Sequence, residues 1–129
     1  MAEGILKHVL AMAGKTDRSV SSAGLGALTG SEADPMACQL MAQKGLDISA
    51  HRPRQLTSHM IHKADLILVM EIWQKTAIET HTPSARGKVF RLGEWEKVDI
   101  DDPYRKDESE FIRSMTLIEK AVAQWAAKL

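Results

Sequence analysis

The stretch 65–70, DLILVM, sets five apolar residues in a row after one acidic residue. The run is far shorter than the roughly 20 apolar residues of a membrane-spanning helix. It also lacks the polar alternation of a strand with one face in water, so it predicts a strand buried on both faces, as in a parallel sheet. The segment 88–92, KVFRL, predicts a second strand, and 19–23 has a short strand-like pattern.

Helical spacing of apolar residues marks the segments between these strands. The first helical pattern ends at Gly14, a residue suited to the left-handed turn after a helix. A second pattern covers 33–45, with Asp34 as its candidate N-cap and Gly45 just past its end. Neither glycine continues a helix well, so both are predicted stops.

Three further helices are predicted in the second half of the chain. Thr57 or Ser58 caps a short one over 57–64, and 72–81 forms another. The last helix has apolar residues at steps of four and three. They are Phe111, Met115, Ile118, Val122, Trp125 and Leu129. Strands that alternate with helices predict an α/β fold, in which a small parallel sheet is flanked by helices in three layers, with 1–129 as a single domain.

Charge and cysteine content limit the class of protein. Lys and Arg together number 17, as do Asp and Glu, so the formal net charge is zero. No global field attracts nucleic acid or an anionic membrane, and neither is predicted as a partner. One cysteine allows no internal disulfide and suits the reducing cytoplasm, which is the expected location. His59 and His62 lack a third ligand nearby in sequence, so neither a metal nor another cofactor is predicted.

Cys38 is the one thiol, with Lys44 six positions after it. A thiolate that attacks phosphorus needs a loop of backbone N–H groups aimed at the phosphate oxygens. Such a loop needs glycine to turn, whereas CQLMAQK consists of good helix formers. The favoured interpretation is a helical cysteine at the edge of the core.

The segment 101–111, DDPYRKDESEF, is more informative. Pro103 holds Asp102 in an extended conformation, next to the aromatic ring of Tyr104. A rigidly aimed carboxyl beside an aromatic ring suits a general acid that serves a flat substrate. Asp-Pro-Tyr is also a common turn, so this motif alone leaves both interpretations open.

The order of several motifs narrows the choice. They are SSAGLGAL (21–28), a helix ending at Gly45, HRPRQLT (51–57), ADLILVME (64–71), ARGKVFRLGEW (85–95), DDPYRKDESEF (101–111) and the terminal amphipathic helix. Together they resemble the low molecular weight protein tyrosine phosphatases, above all bacterial members that act on tyrosine-phosphorylated kinases of exopolysaccharide export. The resemblance covers the whole chain and implies hydrolysis of phosphotyrosine through a phosphocysteine intermediate, without a cofactor. It implies a tyrosine-phosphorylated protein as the partner, such as a bacterial tyrosine kinase of polysaccharide export.

The resemblance also assigns roles to five residues. Asp102 matches the general acid that protonates the leaving tyrosine oxygen and then activates water. Tyr104 matches the aromatic wall beside the phenol ring, and Leu28 falls at the opposite apolar wall. Ser22 and His51 match positions that hydrogen-bond to the phosphate-binding loop in many relatives.

One part of the family pattern is missing from the sequence. The family has a first strand and then a loop with Cys, five residues, Arg, Ser or Thr, and Pro, which supplies the nucleophile and the arginine clamp. These 129 residues contain no such loop, so the chain is expected to be N-terminally truncated and inactive as it stands. The alternative is a non-catalytic binding or interaction protein derived from the same fold. An arsenate reductase is a weaker alternative, since its chemistry relays electrons through several cysteines.

The missing strand has a consequence for the sheet. In the family fold it lies between the strand near 19–23 and the strand at 65–70. We therefore expect either that 19–23 closes up against 65–70, or that a second chain fills the gap and forms a homo-oligomer through the exposed strand edge.

Overall fold

The structure is a computed structural model, which describes residues 1–15, 17–25, 35–48, 54–103 and 107–129. Its elements in chain order are α1 (Ala2–Met12), α2 (Pro35–Gln43), α3 (Ser58–Lys63), β1 (Ile67–Val69), α4 (Ile72–His81), a 3₁₀ turn (Pro83–Ala85), β2 (Val89–Arg91) and α5 (Glu108–Ala126). No helix within these described residues is both long and apolar enough to cross a membrane.

The two strands form a parallel pair in which Ile67 lies opposite Val89. Side chains of β1 alternate between two hydrophobic clusters, as the two-residue period of a strand requires. Ile67 and Val69 pack on one face, whereas Leu66, Leu68 and Met70 pack on the other. The strand is thus covered on both faces, which confirms the prediction from DLILVM.

Helices α1, α2 and α5 cover the first face of the sheet, and the contact of α1 with α5 is the most extensive one between elements. Ile5 from α1 joins α2 and α5 residues in one core. The buried members of that core are Ile5, Ala37, Leu40, Met41, Leu92, Ile100, Phe111, Met115, Ile118, Ala121, Val122 and Trp125. The apolar stripe predicted for the last helix therefore faces the sheet.

Helices α3 and α4 and the 3₁₀ turn cover the second face. Ile61 of α3 and Ile78 of α4 pack with Val69 and Val89 of the two strands. The resulting order of helices, parallel sheet and helices is the three-layer α/β arrangement that the sequence predicts.

Helix ends follow local signals. Gly14 and Gly45 follow α1 and α2 and have positive φ angles of 74° and 78°. The amide after each glycine donates a hydrogen bond to a carbonyl oxygen of the preceding helix, Lys15 to Leu10 and Leu46 to Met41. Thr57 caps α3, because its hydroxyl accepts a hydrogen bond from the Met60 amide at 3.2 Å. The second helix begins at Pro35 and ends at Gln43, and the predicted cap Asp34 lies outside the described residues.

The strand predicted at 19–23 is wrong in the described part of the chain. The backbone there makes a single parallel bridge, between Gly24 and Gln55, and does not pair with β1. The prediction that 19–23 closes up against 65–70 is also wrong. Among the described residues β1 has one ladder neighbour, β2, so a strand pairs with only one of its two edges in this part of the chain.

Candidate active site

Asp102 lies in the segment that leads from β2 to α5. Just before it, Ile100 is buried and donates its amide to the carbonyl oxygen of Met70 at 2.9 Å, at the end of β1. This contact ties the segment to the carboxyl end of the sheet. The Asp102 side chain is exposed and precedes Pro103, which keeps its backbone extended. A carboxyl so placed is accessible to a substrate and has a restrained backbone.

Asp99 gives the same segment a second attachment. Its Oδ1 atom accepts the backbone amide of Ile72 at 3.0 Å and the Nη1 of Arg91 at 3.1 Å. The carboxylate therefore joins the first residue of α4 to the last residue of β2. A negative charge at a helix N-terminus is favourable because the first amides of the helix lack intrahelical partners.

The N-terminus of α1 faces this region. Burial lowers the pKa of the Met1 ammonium, and the charges of Glu3, Cys38 and Asp102 act in the opposite direction. Glu3 belongs to the first turn of α1, and the charges of Cys38 and Asp102 act on the ammonium at the start of the same turn. Asp102 is therefore one of the charged groups that act on the start of α1.

Ser22 also lies at this first turn. Its hydroxyl donates to Oε1 of Glu3 at 2.9 Å, and Lys7 binds the other carboxylate oxygen of Glu3 at 3.3 Å. The Ser22 carbonyl accepts a hydrogen bond from the Arg54 guanidinium at 3.3 Å. The sequence contains no phosphate-binding loop for this serine to bind, and its partner in the structure is Glu3.

Cys38 lies on α2 and is half-buried. Its surroundings are helical, in agreement with the interpretation of CQLMAQK as a helix-forming stretch. Within the described residues, α2 continues past Cys38 to Gln43, so the chain segment that carries the thiol is a helix and not a glycine loop.

Three of the five residues assigned by resemblance cannot be placed. Leu28, His51 and Tyr104 lie outside the described residues, so their roles stay predictions. Of the five, the structure therefore locates Asp102, in the segment before α5, and Ser22, beside the first turn of α1. Among the residues described, no group of His, Cys, Asp or Glu is arranged to hold a metal ion.

A cavity lies next to α3 and α4. It has a volume of about 190 Å³ and is bounded by the loop before α3, by α3 itself and by α4. On its rim, Ser58 Oγ and His81 Nε2 are 3.5 Å apart. Neither Asp102 nor Ser22, the two assigned residues that the structure describes, lines it.

Two residues of this region escaped the sequence-based reasoning. Glu3 was missed because its partner Ser22 lies 19 residues away, across a turn that no local pattern specifies. Ser114 of α5 was missed although it left a signal, namely a hydroxyl on the apolar stripe between Phe111 and Ile118. A buried polar side chain on such a stripe normally has a hydrogen-bond partner.

Known proteins with similar sequences and structures share this architecture. The sequence matches the family described as low molecular weight phosphotyrosine protein phosphatase over residues 1–129. A probable low molecular weight protein-tyrosine-phosphatase EpsP of Ralstonia solanacearum is 47% identical over 129 residues, which are 100% of this chain and 86% of that protein. The low molecular weight protein-tyrosine-phosphatase Wzb of Escherichia coli K12 is 40% identical over 111 residues, 85% of this chain and 76% of that protein.

Solved structures of tyrosine phosphatases have a similar fold. Wzb of Vibrio vulnificus in complex with benzylphosphonate superposes with a TM-score of 0.90 at 37% identity, over 99% of this chain and 88% of that one. The Erwinia amylovora tyrosine phosphatase AmsI superposes equally well, with a TM-score of 0.90 at 34% identity, over 99% of this chain and 82% of that one. On the full-length family match and these relatives, the chain belongs to the low molecular weight protein-tyrosine-phosphatase family.

Proposed function

We propose that Asp102 is the general acid of a phosphotyrosine hydrolase and that these 129 residues alone do not complete the reaction. The observation that supports the acid is its position: an exposed carboxyl on a segment that is anchored to the end of β1 and to the start of α4. A general acid must reach the leaving oxygen, and a fixed backbone favours one orientation of the carboxyl. In the first step it would donate its proton to the tyrosine oxygen as the P–O bond breaks.

The residues around it would take the supporting roles that the family resemblance gives them. Tyr104 and Leu28 would contact the two faces of the phenol ring. Ser22 and His51 would hold a phosphate-binding loop, and the hydroxyl of Ser22 would then exchange its bond to Glu3 for one to that loop. The partner in this proposal is a tyrosine-phosphorylated protein, such as a bacterial kinase of polysaccharide export. The single cysteine suits a cytoplasmic location.

The second part of the proposal is the lack of turnover. Covalent phosphoryl transfer in this family requires a thiolate and an arginine within one loop. The sequence has no cysteine followed six positions later by arginine, since Lys44 stands at that position after Cys38. We expect purified chain to leave p-nitrophenyl phosphate unhydrolysed. Turnover that Cys38→Ser abolishes would contradict this, because Cys38 would then be the nucleophile.

Asp102 is tested in a fusion that places, ahead of Met1, the residues that precede the matched segment in the Ralstonia solanacearum relative. This fusion should hydrolyse phosphotyrosine, and Asp102→Ala should lower its turnover by roughly 10²–10⁴-fold. Asp65→Ala, which removes an exposed acid elsewhere, is the matched control. An unchanged rate in Asp102→Ala would mean that another group protonates the leaving oxygen.

The alternative is a binding protein that has kept the fold without the chemistry. The helical setting of Cys38 is the observation that favours it, because it leaves no nucleophile loop among these residues. An inactive fusion whose nuclear magnetic resonance spectrum shows a folded protein would favour this alternative over the phosphatase.

A further inference from the structure

Ser114 is a polar residue in the buried face of α5. It is 6% exposed and stands one turn from Phe111 and Ile118, which belong to the main core. A hydroxyl in such surroundings needs a hydrogen-bond partner, because burying it unpaired is costly. Its partner is the carbonyl oxygen of Asp101, to which Oγ donates at 3.1 Å.

This bond differs from the one a helical hydroxyl commonly makes. Serine and threonine in helices often donate to the carbonyl four residues earlier in the same helix. Thr116, two residues further along α5, does so, with Oγ1 donating to the Ile112 carbonyl at 2.9 Å. Ser114 donates to a residue 13 positions away, outside the helix. Its hydroxyl therefore fixes another segment rather than its own helix.

The carbonyl it binds belongs to the peptide unit that enters Asp102. Because a peptide unit is planar, holding its oxygen also fixes the orientation of the Asp102 amide. Pro103 restrains Asp102 from the other side by excluding helical conformations. The backbone of Asp102 is thus held between a hydrogen bond before it and a ring after it.

The other anchors act further back. Ile100 and Asp99 attach the segment to β1 and α4, one and two residues before Asp101. Rotation about the bonds of Asp101 could still turn the Asp102 peptide while both anchors stay in place. The Ser114 hydroxyl opposes that rotation.

We propose that Ser114 is a positioning residue for Asp102, because its hydroxyl fixes the peptide unit that carries the general acid. The effect of Ser114 on catalysis rests on the proposed function of Asp102. Its effect on the Asp101–Asp102 peptide unit concerns the structure of the chain and does not depend on that function. Two experiments separate these effects.

The first experiment measures backbone mobility in the 129-residue chain by ¹⁵N relaxation. Ser114→Ala should lower the order parameters of the Asp101 and Asp102 amides from about 0.85 toward the flexible range below about 0.6. The matched control is Thr116→Ala, which removes a hydroxyl from the same helix and should leave both amides unchanged. Alanine is the best helix former, so Ser114→Ala is expected to keep α5 intact. Unchanged order parameters in Ser114→Ala would overturn the inference.

The second experiment compares two substrates in the fusion described above. Loss of acid positioning should slow substrates with poor leaving groups most, because they depend on protonation. We expect Ser114→Ala to lower kcat/KM for phenyl phosphate by roughly tenfold and that for p-nitrophenyl phosphate by less than about twofold. A merely structural role would lower both equally, and Thr116→Ala should lower neither.

The outcomes distinguish the two proposals. If the fusion is inactive, or if Asp102→Ala does not slow it, the proposed function fails and the relaxation experiment still decides whether Ser114 fixes the Asp101–Asp102 peptide. If Asp102→Ala slows the fusion while Ser114→Ala slows neither substrate or both to the same extent, the positioning role is wrong and the proposed function stands.

Discussion

Gly93 and Lys97 occupy backbone positions in the turn after β2 that each suit a different residue type. A Cβ atom at Gly93 would lie 2.5 Å from the carbonyl oxygen of Val98, which is backbone and cannot move aside cheaply. Lys97 is the opposite case, with a φ of 54° that favours glycine. The turn matters because it leads directly into the segment that holds Asp99 and Asp102.

These two positions predict opposite effects on stability. Gly93→Ala should lower the free energy of unfolding by about 1–3 kcal/mol, the usual cost of an added group in a packed site. Lys97→Gly should raise it by up to about 1 kcal/mol, because relief of the left-handed strain exceeds the entropy that glycine adds to the unfolded chain. Urea unfolding at pH 7 measures both. Equal stability of Gly93→Ala and the parent would show that the turn relaxes freely.

Asp107 gives a prediction about pH. Its Oδ1 atom accepts the hydroxyl of Ser109 at 2.7 Å and the amide of Glu110 at 3.1 Å, as the N-cap of α5. These bonds, the one from Ser109 first, lower the pKa of the carboxyl in the folded protein. Because this pKa is lower in the folded chain than in the unfolded chain, the Asp107 carboxylate stabilises the fold at pH values above its unfolded pKa, near 4. That stabilisation is lost as the pH falls through the pKa of the folded state.

Asp107→Asn keeps an N-cap oxygen and removes the titration, so it is the matched variant. The parent should therefore lose stability relative to Asp107→Asn between pH 7 and about pH 3. Urea unfolding at the two pH values gives the difference in free energy of unfolding for each protein. A difference between parent and variant that does not change with pH would mean that the Asp107 carboxyl has the same pKa in the folded and unfolded chains.

At the scale of elements, local sequence signals predicted the bounds of helices well, whereas the lengths of the strands and the pairing of 19–23 were predicted poorly. Helix α4 has the predicted bounds, 72–81, because Pro83 keeps Thr82 out of the helical conformation and ends the helix. The strands are shorter than predicted, since a strand extends only as far as its neighbour pairs with it. The strand at 19–23 failed for the same reason. Within the described residues, the chain forms a single bridge just after this segment, between Gly24 and Gln55, and that pairing is set by the path of the chain rather than by the residues 19–23.

The candidate site follows the same division. Asp102 was assigned through the family resemblance of the ordered motifs; the structure shows that it is exposed, and its role stays a prediction. The contacts Ser22–Glu3 and Ser114–Asp101 could not be predicted, because each joins segments that meet only after the helices pack on the sheet.

The unpaired edge of β1 belongs to this scale too. The Ile67 amide donates to Lys88 and the Val69 carbonyl accepts from Leu92, so these two residues point their backbone groups at β2. In a parallel ladder the intervening Leu68 points its amide and carbonyl to the opposite edge. That edge has no strand neighbour within the described residues. An edge of this kind is a template for pairing with another chain.

We therefore predict that the 129-residue chain self-associates through this edge. Size-exclusion chromatography with light scattering, over a concentration series, should show a mass above 14.3 kDa that rises with concentration. The fusion with the additional N-terminal residues is the control and should be monomeric if those residues cover the edge. A compact monomer at every concentration would show that the open edge is tolerated.

At the scale of the whole molecule, the packing of α1 on α5 unites the two ends of the chain. Ile5 of α1 is buried in the core that α5 completes, whereas Ile112 of α5 is 43% exposed. Lys15 also donates to the Ala126 carbonyl at 2.8 Å, and Arg18 to that of Leu129 at 2.6 Å. The interface is therefore apolar in its centre and hydrogen-bonded at its edge.

Ile5→Ala should lower the free energy of unfolding by about 2–5 kcal/mol, since it leaves a cavity where α1 meets the core. Ile112→Ala makes the same chemical change at an exposed position of α5 and should alter the free energy by less than about 0.5 kcal/mol. Thermal and urea unfolding measure both variants. Similar losses in the two would mean that α1 contributes little to the core.

The packing of α1 on α5 also determines how late the core can form while the chain is being synthesised. Ile5 shares its core with residues such as Val122, which the ribosome adds more than a hundred residues later. At about 5–20 residues per second, that interval is roughly 5–20 s. During that interval the apolar face of α1 lacks the partners that α5 supplies, and from residue 69 onward the unpaired edge of β1 is present as well. We therefore expect the nascent chain to expose apolar surface, the kind of surface that chaperones bind, until its last helix leaves the exit tunnel.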